Sequence, residues 1–130
     1  MQKEFKTIVS GIELTITNPD QIMNMGGPWI CTLSLKDKFI SDNSICENFI
    51  FDDAIEKLFF VKAHKGTYGW YFTINYYSFE KDQVFEFQSH FDMVFIKQFI
   101  SANELEIYNA FHDKLIEYRD VFHIDSEALN

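Results

Sequence analysis

The 130 residues predict an α+β domain, with one antiparallel sheet of about six to eight strands and a C-terminal amphipathic helix packed on one face. Three observations predict it. Several short runs alternate apolar and polar residues, the period of a half-buried strand. The segment Trp70 to Phe87 holds eight aromatic residues in eighteen and is divided by the largely polar stretch Ser78 to Gln83. It reads as an antiparallel hairpin at the centre of the sheet. Beyond it, Leu105, Tyr108, Phe111, Leu115, Tyr118 and Phe122 recur at steps of three or four, the spacing that gathers one helical face into a stripe.

In chain order, Phe5 to Ser10 and Ile12 to Thr17 are short strands meeting at Ser10-Gly11, and Asn18-Pro19-Asp20 ends the second. Proline fixes its own φ and donates no hydrogen bond, and Asn and Asp favour turns. Residues 21–28, with Met23, Met25 and Gly26-Gly27, read as a loop; no Gly-Lys-Ser/Thr follows, so it is not a phosphate cradle. Trp29 to Leu35 alternates cleanly and is a strand. Lys36 to Ser44 reads as a polar loop broken by Phe39-Ile40, and Ile45 to Phe51 as the next strand, closed by Asp52-Asp53. Leu58 to Ala63 is a strongly apolar strand that belongs inside the sheet. Gly66 and Gly69 frame the loop into the hairpin, where positive φ is needed.

Met93 to Ile100 is a further strand. Ser101-Ala102-Asn103-Glu104 then matches a capping box, which starts the amphipathic helix. Residues 124–130 are polar and expected to fray. No repeat, low-complexity tract or linker interrupts the chain, so residues 1–130 are expected to form one domain.

Composition narrows the function. Twenty acidic against eleven basic residues give a formal charge of −9, a field that repels phosphate backbones and argues against nucleic-acid binding despite the many rings. The N-terminus has no apolar leader and the chain has no long apolar run, so a cytoplasmic protein with no membrane span is expected. Cys31 and Cys46 sit among apolar neighbours and read as small hydrophobes of a reduced chain.

The four histidines carry no metal-ligand spacing. His90-Phe91-Asp92 and His123-Ile124-Asp125 each set a carboxylate beside an imidazole, a weak acid–base signal. No nucleophile elbow occurs, and neither cysteine stands in an electropositive context. No catalytic residue, metal or cofactor is assigned, and the chain is expected to be no enzyme.

The acidic residues are more informative. On the expected helix, Glu106, Asp113, Glu117 and Asp120 fall within roughly 60° of one another, opposite the aromatic stripe. The i,i+4 pair Asp113 and Glu117 and the acids near the helix C-terminus each work against the helix by a few tenths of a kcal/mol. Such uncompensated departures mark function. Aromatic contacts are expected from Tyr68, Trp70 and Trp29, with Glu80 and Asp82 in the exposed hairpin turn.

With Trp29, Trp70, Glu106, Asp113, Glu117 and Asp120 as aromatic anchors and acidic contacts, the whole chain resembles, in general character, the immunity proteins of bacterial polymorphic-toxin and contact-dependent competition systems. That resemblance implies a non-enzymatic protein that binds and neutralises one cognate toxin, a basic one. Two other readings stand beside it. One is a small-ligand carrier or enzyme with an aromatic cavity between sheet and helix. The other is a subunit of a homo-oligomer, such as a homodimer, in which a second copy covers Phe39-Ile40 and exposed tyrosines.

Overall fold

A computed structural model describes residues 4–9, 11–21, 28–36, 38–52 and 54–130. The expected Met23, Met25 and Gly26-Gly27 loop lies outside the described residues, as do Ser10 and Asp53. Strands β1 (Glu4–Val9), β2 (Ile12–Gln21), β3 (Trp29–Leu35), β4 (Lys38–Asp52), β5 (Lys57–Gly66), β6 (Gly69–Ser78) and β7 (Gln83–Glu86) form a seven-stranded antiparallel meander in which each pairs with the next. Strands β8 (Phe95–Ser101), β9 (Glu104–Tyr108) and β10 (Arg119–His123) make a second, three-stranded sheet with β9 in the middle. Among the described residues no helix is long and apolar enough to cross a membrane.

The architecture is therefore all-β, and the expected α+β fold with a C-terminal helix is wrong. Residues 104–123 form β9, a loop with one short 3₁₀ turn (Ile116–Tyr118), and β10. The physical reason lies in Leu105 and Ile107. A helix turns about 100° per residue and would set Ile107 on the face opposite Leu105. In a strand, residues two apart share a face, and here both are buried, at 0% and 2% exposure. The helical spacing of Phe111, Leu115 and Tyr118 arose by coincidence in a connecting loop. The capping-box residues close the β8–β9 turn instead: Ser101 Oγ accepts from the Asn103 amide at 3.3 Å and donates to Glu104 Oε1 at 3.1 Å.

Two further boundaries shift. Asn18-Pro19 does not end β2 but forms a bulge, since the register runs from Thr17 opposite Thr32 to Asp20 opposite Ile30. Proline is tolerated there because a bulge needs no ladder donor. Lys36 to Ser44 is not a loop: β4 starts at Lys38, directly opposite Leu35, and Phe39 faces solvent while Ile40 is buried. The β6–β7 hairpin is present, with Asn75 opposite Glu86 and Ser78 opposite Gln83, but it closes one edge of the large sheet rather than forming its centre, because β7 is the last strand of the meander. At the β5–β6 turn, Gly69 has φ +128° and so needs glycine, whereas Gly66 does not take the expected positive φ; a Cβ there would only crowd the Gly69 carbonyl oxygen at 3.2 Å.

The long β4 is the hinge of the architecture. Its pairing with β5 jumps from Ser44 opposite Lys62 to Phe49 opposite Phe60, five residues against two. Such an irregularity bends a strand and lets a sheet turn a corner. Beyond it the first part of the meander folds back over one face of β5 and β6, burying Leu14, Ile16, Leu33, Leu35 and Ile40 against Leu58, Phe60 and Tyr77. The opposite face of β5 and β6, with Phe59, Val61, Phe72 and Ile74, packs on Ile96, Leu105, Ile107 and Phe122 of the small sheet. Leu58 to Val61 thus lies between two cores, and all four residues are 0% exposed. Full burial of such a side chain stabilises by about 1.5–3 kcal/mol.

At the corner, the buried Asn48 joins the two sheets. Its amide nitrogen donates to the Ile96 carbonyl at 2.9 Å, and its amide oxygen accepts from the Ile96 N–H at 3.1 Å. The terminal residues expected to fray are also engaged: Leu129 bridges Phe87, and the Asn130 amide donates to the Glu86 carbonyl at 2.8 Å.

Candidate functional site

Loss of the helix disperses its acidic ridge. Glu106 lies on the outer face of β9 and is only 7% exposed. Its carboxylate accepts from Gln98 Nε2 at 2.7 Å, Arg119 Nε at 2.9 Å and Tyr108 Oη at 3.2 Å. The Gln98 hydrogen bond, aided by Arg119 and Tyr108, outweighs burial and holds the carboxyl below its usual range. Asp113, in the β9–β10 loop, is paired with Lys97, whose hydrogen bond lowers its pKa. Both carboxylates are spent on internal cations.

Glu117 and Asp120 remain exposed, with no cation paired to either among the described residues. Asp120 Oδ1 accepts from the Val121 amide at 2.8 Å, capping an outward N–H of β10. Beside them stand Leu115, Ile116 and Tyr118, which a helix would have divided between faces and which are exposed at 43%, 70% and 44%. The loop carrying them is held at several points. The Asn109 amide donates to the Tyr118 carbonyl at 2.8 Å, the Phe111 ring meets the Phe72 ring edge-on at 5.0 Å, and Asp113 reaches Lys97. The product is a preorganised apolar tip with Lys114 and two carboxylates beside it that have no cation paired to them among the described residues. Leu115 and Tyr118 were expected in the core and Ile116 was not singled out, although its place off the apolar stripe was a signal of exposure.

The other expected contacts do not converge. Tyr68 is fully exposed at the β5–β6 tip, and Trp70 next to it packs on the core with Lys65 Nζ 5.5 Å from its ring. Glu80 and Asp82 lie in the β6–β7 turn, at the far end of the ten-residue β6 and so about 30 Å away. Trp29 opens β3 and is 37% exposed.

The histidines form a different arrangement from the one expected. His90 stacks on Tyr71, with ring centroids 4.3 Å apart, and Tyr71 stacks in turn on His64 at 4.9 Å. His64 Nε2 lies 2.8 Å from Glu86 Oε2, which also accepts from Thr73 Oγ1 at 2.8 Å. Buried Asn75 donates to Thr73 Oγ1 at 3.0 Å, and Asn130 Nδ2 to Glu86 Oε1 at 2.8 Å. Burial pushes the Glu86 carboxyl up, but the Thr73, Asn130 and His64 contacts outweigh it and its pKa is lowered. These polar atoms satisfy one another in a network that runs from the buried Thr73 and Asn75 out to the exposed Asn130. Among the described residues no group of three or more His, Cys, Asp or Glu side chains is arranged to hold a metal ion.

A third locus is the open end of the fold-back, a cleft of about 540 Å³ lined by Ile12, Leu35, Lys36, Lys38, Tyr77 and Phe79. Asp82 spans its mouth, accepting from both Lys38 Nζ and Tyr77 Oη. Burial first, then the Asp82 hydrogen bond and charge, push the Tyr77 phenol up to about 12.

Comparison of the chain with protein-family models, with curated proteins and with solved structures gives no match.

Proposed function

We propose that the chain is a non-enzymatic binding domain for a basic protein, and that this partner is a bacterial toxin which it neutralises in the cytoplasm. The observation that carries the reading is the β9–β10 loop, where Leu115, Ile116 and Tyr118 stand exposed beside Glu117 and Asp120. Apolar and aromatic side chains on a held backbone supply binding energy at little ordering cost. The adjacent carboxylates and the −9 charge favour a cationic partner by speeding encounter and orienting it. The neutralised Glu106 and Asp113 take no part in contact; they hold the loop and the small sheet in shape.

The test is binding to the purified product of the reading frame immediately upstream, followed by calorimetry. Ile116→Asp should weaken binding at least tenfold by placing a charge in the contact, and Glu117→Lys with Asp120→Lys should slow association and reduce its salt dependence. A partner bound equally by wild type and by both variants would remove the loop from the interface.

A further inference from the structure

The cleft at the open end of the fold-back lies away from the β9–β10 loop and has its own chemistry. Its floor is apolar: Leu35 and Tyr77 are buried core residues, and Ile12 and Phe79 pack partly buried against the same cluster. At about 540 Å³ it is a shallow cleft open to solvent, with room for a small molecule lying along its floor. Lys36 and Lys38 rim it, two cations at one apolar opening in a chain with only eleven basic residues against twenty acidic ones. Lys36 sits at φ +52° with its amide donating to the Glu13 carbonyl at 2.8 Å, which fixes its backbone at the rim. Lys36 has no paired anion among the described residues, and Lys38 is paired with a carboxylate of the chain itself, Asp82.

Asp82 is exposed, a turn residue with φ +53°, and belongs to a different hairpin from the lysines. Its carboxylate marks where an anionic head group would sit while an apolar body occupies the cleft behind it. We propose that this cleft is a binding site for a small amphiphilic carboxylate, with the alkyl chain on Ile12, Leu35, Tyr77 and Phe79 and the head group on Lys36 and Lys38 in place of Asp82. An uncharged apolar molecule would leave the lysines unused, and a soluble anion without an apolar body would leave the floor empty. The site is independent of the protein-binding reading, since none of its residues lies in the β9–β10 loop.

The test uses the full chain with decanoate and, as the uncharged comparison, decanol, titrated by calorimetry below the concentration at which decanoate aggregates. Decanoate should saturate one site and bind roughly tenfold tighter than decanol, the difference that a charge-assisted contact supplies. Lys36→Gln with Lys38→Gln, both at exposed positions, should abolish that preference while leaving decanol binding unchanged. Asp82→Asn removes the internal competitor and should tighten decanoate binding several-fold. The site is overturned if neither compound saturates, if decanol binds as well as decanoate, or if the double lysine variant keeps the preference. Weaker or unchanged decanoate binding by a folded Asp82→Asn protein would overturn the role given to Asp82.

Discussion

Replacing Asn48 tests the joint between the two sheets. The Asn48 amide bonds both the N–H and the C=O of Ile96, at 3.1 and 2.9 Å, in a region closed to water. Truncation to alanine leaves both Ile96 groups buried without partners, at about 1–3 kcal/mol for each unmet group. Partial relaxation of β8 toward water recovers some of that, so Asn48→Ala should lose on the order of 2–4 kcal/mol. For a chain of this length the thermal midpoint should fall by roughly 10 °C. The assay is urea unfolding followed by circular dichroism, with the free energy extrapolated to zero denaturant and the slope compared to confirm that the same surface unfolds. Asn48→Leu separates hydrogen bonding from packing, because it fills nearly the same space and can bond neither group. An Asn48→Leu protein within about 0.5 kcal/mol of wild type would refute the argument, since that much is the uncertainty of such comparisons.

Two further outcomes concern pH. Tyr77 has its phenol pushed up to about 12 from an unfolded value of 10, so its contribution is complete below pH 10 and is lost as pH rises toward 12. The difference corresponds to roughly 2–3 kcal/mol at most, and Tyr77→Phe should flatten the alkaline limb of a stability–pH curve over that window. Glu86 shows the opposite sign: its lowered pKa means stability that is present above the usual carboxylate value and lost as pH falls through the folded one. Glu86→Gln should therefore be destabilised near pH 7, with the gap to wild type closing on acidification; a gap constant from pH 7 to pH 3 would show that the charge on Glu86 does not hold the His64, Thr73 and Asn130 contacts together.

The parts of the fold legible in the sequence were those where one local pattern decides the outcome. Alternation in Trp29 to Leu35 and the unbroken apolar run at Leu58 to Ala63 reveal strands because strand side chains repeat every two residues. Glycines at positions 66 and 69 reveal a turn because φ +128° at Gly69 admits little else. Lys36 to Ser44 was illegible because bulges in the β3–β4 pairing break the alternation, and its charged Lys38 and Asp42 find their partners, Asp82 and Lys62, on other strands and turns. Residues 104–123 misled because their apolar spacing fits a helix over most of its length; only Ile107, Ile116 and Val121, off the stripe and with side chains that suit a sheet, spoke against it. The candidate surface suffered in the same way. Glu117 and Asp120 were rightly suspected of exposure, but the pairing of Glu106 with Arg119 and of Asp113 with Lys97 depends on strand register, which no local pattern encodes.

The position of β5 has a consequence for how the molecule comes apart. Leu58 and Phe60 face one core and Phe59 and Val61 the other, while β4 and β6 pair along both edges. Neither layer can loosen without dragging the strand that serves the other, so the two cores melt as one cooperative unit rather than in sequence. Amide protons of β5 should then exchange only through global opening, and damage at the fold-back cleft should be felt as far away as the small sheet. The exposed β9–β10 loop should inherit that rigidity, because the small sheet beneath it packs on the same core as β5.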